Sequence, residues 1–158
     1  MKFSWKEGKF VILQIMENSG RIMAFDYGLK RTGIAVSDET RIFSFPLVTV
    51  ETHKLMEWLI TYAGKETVSQ FVVGLPLHAD QTPAAIEPHI AGFVARLKKS
   101  FPAIPVDRID ERYTSKMAFD TILAAGVPKM KRRNKSLIDK ISASIILQSY
   151  IDSLKNDQ

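Results

Sequence analysis

Short apolar runs alternate with polar, glycine-bearing turns through the first half of the chain, and stretches with apolar residues at helical spacing dominate the second. The runs Ile22-Met23-Ala24-Phe25 and Ile34-Ala35-Val36 flank a polar turn from Gly28 to Gly33, which predicts a β-hairpin. Its first strand runs into Asp26 and its second closes on Ser37-Asp38. Arg41 to Val50 is a third β-prone run, in which Pro46 marks an edge or a break. Leu55, Leu59 and Tyr62 recur at helical spacing between Glu51 and Ala63, with Thr52 placed as an N-cap and Gly64 as the stop. Phe71 to Pro76 is a continuous apolar run of the kind buried on both faces, and His78 to Pro83 follows as a loop. Ile86, Ile90, Phe93, Val94 and Leu97 mark one face of a helix running to about Lys99. Pro102 and Pro105 bracket a turn before a brief strand, Val106 to Ile109. Thr114 caps a helix through Ala125, stopped by Gly126 and Pro128. A last helix runs from about Ser136 to Leu154, with Ile138, Ile141 and Ile145 as its buried face.

The order is therefore three strands, then helix, strand, helix, strand, helix, helix. An antiparallel meander followed by parallel βα units describes an α/β fold, a mixed five-stranded sheet with helices on both faces. That order is the layout of the ribonuclease H-like fold. Residues 21–154 read as one such domain, and residues 1–20 as an N-terminal extension ahead of it, with Met16 and Met23 as alternative heads of a shorter chain.

Composition narrows the function classes. At 158 residues, 46% hydrophobic and 25% charged, the chain has the make-up of a globular protein with a substantial core. A net charge of +5 mildly favours a polyanionic partner. The absence of cysteine excludes disulfides, thiolate catalysis and Cys-based zinc sites, and fits a cytoplasmic setting. No apolar run approaches the ~18 residues that span a bilayer, so no membrane partner is expected. Phe10 to Leu13 is too short for a secretory core. His53, His78 and His89 lack metal-ligand spacing, and no Walker, G-x-G-x-x-G or G-x-S-x-G motif is present.

Three carboxylates stand at element ends: Asp26 at the end of the first strand, Glu111 after the strand ending at Ile109, and Asp139 near the start of the last helix. Hard divalent cations such as Mg²⁺ are held by a few carboxylates together with substrate phosphates. Two such ions can activate a water and stabilise the leaving oxygen of a phosphodiester. Ser142 and Ala143 follow Asp139 at i+3 and i+4, where small side chains would let the helix approach the sheet. Each acid also has a plainer role. Asp26 can start an Asx turn, Glu111 can pair with Arg108 or Arg112, and Asp139 can complement the helix dipole.

The blocks AFDYGLKRTGIAVSD, VVGLPL, DERYTS and LIDKISASIILQSY occur in one order across Arg21 to Asp152. In this they resemble the YqgF/RuvX family, described both as Holliday junction resolvases and as pre-16S rRNA nucleases. The resemblance implies a ribonuclease H-like nuclease that trims the 5′ end of the small-subunit ribosomal RNA precursor. It puts the family's catalytic and metal-binding acids on Asp26, Glu111 and Asp139, with Mg²⁺ or Mn²⁺ as cofactor. The loop after VVGLPL departs from the family, which usually carries a Gly-Thr pair where this chain reads HADQTPA.

Basic residues suited to a nucleic-acid backbone cluster near the same blocks. Lys30 and Arg31 lie in the hairpin turn, Arg112 adjoins Glu111, and Lys131, Arg132, Arg133 and Lys135 belong to the densest positive run, which begins at Lys129. Thr114 and Ser115 add hydroxyls. The expected partner is a structured nucleic acid, pre-rRNA or branched DNA, with ribosomal particles in the first case. A monomer or weak homodimer is expected. A junction resolvase would need the dimer, since a four-way junction has two-fold symmetry. Two rival readings are a phosphotransferase, through the phosphate-binding hairpin of the sugar kinase and actin superfamily that Asp26 to Gly33 also resembles, and a nucleic-acid binding module without chemistry.

Overall fold

Alternation along the first strand decides where everything else packs. In the computed structural model, which describes residues 5–17, 19–78, 80, 82–111 and 134–157, helix α1 (Trp5–Glu17) precedes strand β1 (Arg21–Tyr27). Met23 and Phe25 of β1 enter one apolar cluster, while Ile22 and Ala24 enter another on the opposite face, which Asp26 shares by period. Strand β2 (Arg31–Ser37) returns antiparallel with Asp26 opposite Gly33. The turn is thus tighter than the sequence suggests: Gly33 is a strand residue, and only Gly28 to Lys30 connect the strands.

Strand β3 (Ser44–Glu51) pairs with β2 at the sheet edge. Pro46 lies both on that edge and beside a slip in the ladder between Ile34 and Ala35, as a residue without an amide hydrogen can. The strand starts at Ser44 and not Arg41, because the Asp38 carboxylate accepts the amides of Ile42 and Phe43 and holds them in a turn. Arg41 takes a left-handed φ of 59° there. Thr52 does not cap the next helix. It opens a 3₁₀ turn (Thr52–Lys54), and its hydroxyl donates to the Gly28 carbonyl at 2.7 Å, tying that turn to the hairpin.

Helix α2 (Leu55–Ala63) leads to strand β4 (Val68–Leu75), which lies parallel to β1 and begins three residues before the apolar run. Helix α3 (Glu87–Ser100) buries Ile90, Phe93 and Leu97, and strand β5 (Val106–Asp110) joins parallel to β4. The order β3-β2-β1-β4-β5 is the mixed five-stranded sheet expected. The helix read from Thr114 to Ala125 lies outside the described residues.

Helix α4 (Lys135–Asn156) is capped by the Asn134 side chain, which accepts the amides of Ser136 and Leu137. Its buried face is Ser142, Ala143, Ile146, Leu147 and Ile151, not the isoleucines at 138, 141 and 145, which are half-buried. Ser142 and Ala143 hold the N-terminal part of that face, where the helix backbone comes against Gly33, and Ile146, Leu147 and Ile151 pack further along on Ile22, Ala24, Ala35 and Val72. Polar pins hold it there: Ser44 bonds the Ser144 hydroxyl at 2.7 Å, and the Thr49 hydroxyl donates to the Ser136 carbonyl at 2.5 Å. Helices α2 and α3 contribute to the cluster on one face and α4 to that on the other.

Candidate active site

Strands β1, β4 and β5 run parallel, so their C-terminal ends meet at one edge of the sheet, where α/β proteins form their sites. Asp26 is the penultimate residue of β1, and Glu111 follows β5 directly, its amide donating to the Leu75 carbonyl at 3.2 Å. Asp139 reaches the same edge from the second turn of α4, because Gly33 lets the helix backbone touch the sheet. A Cβ on Gly33 would stand 2.0 Å from the Asp139 carbonyl oxygen. A second glycine, Gly74 near the end of β4, leaves the space that the Glu111 carboxylate fills.

Burial dominates the electrostatics. It pushes the Asp26 carboxyl up to about 7, with the Asp139 charge adding to the shift. Burial likewise raises Glu111 to about 8, reinforced by Asp26 and opposed by Arg108. The acids therefore form a chain in which Glu111 feels Asp26 and Asp26 feels Asp139. Such carboxylates are costly to ionise without a cation nearby.

Arg31 is engaged inside the site: its Nε donates to Asp139 Oδ2 at 2.9 Å. Lys30 lies exposed in the hairpin turn, and Lys135 lies exposed four residues before Asp139, one turn up the same helix face. Arg112, Thr114, Ser115, Lys131, Arg132 and Arg133, all read from the sequence as substrate contacts, lie outside the described residues.

As the side chains stand, no group of three acidic or histidine residues that could hold one ion is found among the described residues. The donor chemistry still fits a hard divalent cation: Asp26 and Glu111 are half-buried oxygen donors whose charges oppose one another, and Asp139 is partly satisfied by Arg31. Sequence reasoning missed two parts of the site, the glycines, which carry no charge to draw the eye. Arg108, read from the sequence as a surface partner of Glu111, instead grips both oxygens of Glu87 at 2.8 and 2.9 Å and donates to the carbonyls of Val73 and Gly74.

Comparison with known proteins places the chain in a family. The family model described as "RuvX: Holliday junction resolvase" matches residues 20–153. A Porphyromonas gingivalis protein named "Putative pre-16S rRNA nuclease" is 49% identical over 134 residues, 85% of this chain and 97% of that protein. Proteins of the same name from Christiangramia forsetii and Bacteroides thetaiotaomicron are each 47% identical, over 83% and 84% of this chain and 97% and 96% of their own length. Among solved structures, Archaeoglobus fulgidus Pelota aligns over 98% of this chain and 44% of its own, at a TM-score of 0.39 and 13% identity, a likeness too slight to argue from.

Proposed function

The chain belongs to the RuvX family, and from that membership we propose a divalent-metal-dependent nuclease that hydrolyses phosphodiester bonds in structured RNA, trimming the 5′ end of pre-16S rRNA. The observation that carries the reading is the half-buried, electrostatically coupled pair Asp26 and Glu111 at the C-terminal edge of the parallel strands, with Asp139 in electrostatic reach. Asp26, Glu111 and Asp139 are the residues that would hold Mg²⁺ or Mn²⁺, which when bound lowers the pKa of water and balances charge on the departing oxygen. Partial burial strips Asp26 and Glu111 of much of their solvation and makes their oxygens demand a cation. Arg31 orients Asp139, and Lys30 and Lys135 flank the site where a phosphate backbone would run. The same role is proposed for Arg112, Thr114, Ser115, Lys131, Arg132 and Arg133.

The nuclease domain is proposed to span residues 21–154, with residues 1–20 an extension, in keeping with a family match that begins at residue 20. With that RNA substrate we propose work on precursor ribosomal particles in the cytoplasm, by a monomer or weak homodimer. Among the described residues no helix is long and apolar enough to cross a membrane.

The family description favours a second reading, cleavage of a four-way DNA junction. End-labelled 5′-extended 16S precursor and a four-way junction, each incubated with Mn²⁺, separate the two. Cleavage of the RNA alone is expected. Symmetric nicking of the junction alone, by a dimer, would replace the first reading with the second.

A further inference from the structure

Gly74 carries information that none of the acids does. An ideal Cβ built on it would lie 2.1 Å from Glu111 Oε2 and 2.8 Å from Glu111 Cδ, with Ile146 Cδ1 at 3.1 Å on its other side. The Glu111 carboxyl therefore occupies the volume that any other residue's side chain would fill. The backbone around that volume is held from several directions. Gly74 pairs with Ile109 in the β4–β5 ladder, and the Glu111 amide donates to the Leu75 carbonyl at 3.2 Å. Arg108 Nη2 donates to the Gly74 carbonyl at 3.0 Å and is itself clamped by Glu87. These contacts hold the two strands in register, so a methyl group here displaces the flexible end of the Glu111 side chain first.

We infer that Gly74 is a positioning residue: its missing side chain sets where the Glu111 carboxylate sits, and so the metal affinity of the site. The inference rests on Glu111 being a metal ligand, as proposed above. Gly33 makes a useful contrast. A Cβ there meets the backbone of Asp139 and Lys140, so its substitution must move a helix, whereas the atoms met at Gly74 are mostly the far end of a flexible side chain. Gly74→Ala is thus mild for the fold and severe for the carboxylate.

The test is direct Mn²⁺ binding to the full chain, read by calorimetry beside the melting temperature of the metal-free protein. Gly74→Ala should melt close to wild type and bind Mn²⁺ at least about tenfold more weakly, the usual size of a lost positioning contact. Shortening the acid should make room, so Gly74→Ala with Glu111→Asp should bind more tightly than either single variant. Wild-type affinity in Gly74→Ala would overturn the inference. If Gly74→Ala does not fold, recovery of fold and binding in the double variant sustains it, and continued misfolding overturns it. Glu111→Gln separates the two layers. Wild-type Mn²⁺ binding in that variant removes Glu111 from the ligand set, whereas loss there with none in Gly74→Ala defeats the positioning role alone.

Discussion

On one face of the sheet Phe25, Phe71 and Phe93 meet ring to ring, Phe25 lying 5.2 Å from Phe93 and 5.7 Å from Phe71 between centroids. On the other, Ala24, Gly33, Ala35 and Gly74 put small residues beside Ile22 and Val72, and α4 lies against them. The first face buries large rings and stabilises the domain. The second gives up part of that area to bring a helix backbone, a glutamate and two aspartates together at one edge. Less apolar area and opposed, half-buried carboxylates both weaken a fold, so in the proposed nuclease the α4 face is where stability is exchanged for chemistry.

The contrast can be broken from either side. Phe93→Ala, on the aromatic face, should lower unfolding free energy by about 3–5 kcal/mol in urea titration, most of the margin of many domains. Gly33→Ala should cost about 1–3 kcal/mol by overpacking and should also weaken cleavage, because it pushes the first turns of α4 and Asp139 outward.

The pH dependence of metal-free stability sharpens the comparison. Asp26 and Glu111 have folded-state pKa values of about 7 and 8, above their ordinary values of 3.8 and 4.5. A carboxyl raised on folding binds its proton more tightly in the native state. Stability is therefore greatest below pH ~4 on account of these two groups and falls as pH rises to about 8. Melting temperatures across that range should decline in the wild type and less steeply in Asp26→Asn, where Glu111, raised mainly by burial, still titrates. Cleavage at saturating Mn²⁺ is expected to move the other way, increasing as the acids lose their protons. At the small end, Phe45→Ser should change stability by less than about 0.5 kcal/mol, because this ring on the edge strand is 52% exposed.

Much of this layout was legible in the sequence because strands and their order follow from short apolar runs and turn residues. Asp26 at the end of a strand, Glu111 after another and Asp139 in a helix start could be placed from those runs alone. What escaped was negative space. Gly33 reads as a turn glycine until the helix backbone is seen against it, and Gly74 reads as one more residue of an apolar run. The buried stripe of α4 differs from the expected one by a rotation of the helix: periodicity points to Ile138, Ile141 and Ile145, while the face turned to the sheet carries Ser142, Ala143, Ile146, Leu147 and Ile151. The Thr52 hydroxyl, expected at a helix cap, was drawn instead to the Gly28 carbonyl, a long-range partner that local pattern does not encode.

The most direct test pairs two readings on Asp26→Asn, a change that keeps the side chain's shape and removes its charge. Cleavage of the 5′-extended 16S precursor in Mn²⁺ should be lost. In the same preparation the metal-free protein at pH 8 should be more stable than wild type by about 1–3 kcal/mol, since a buried charge has gone. A variant that still cuts at the wild-type rate, or that is less stable at that pH, would contradict the claim that the α4 face holds a strained, catalytic acid cluster.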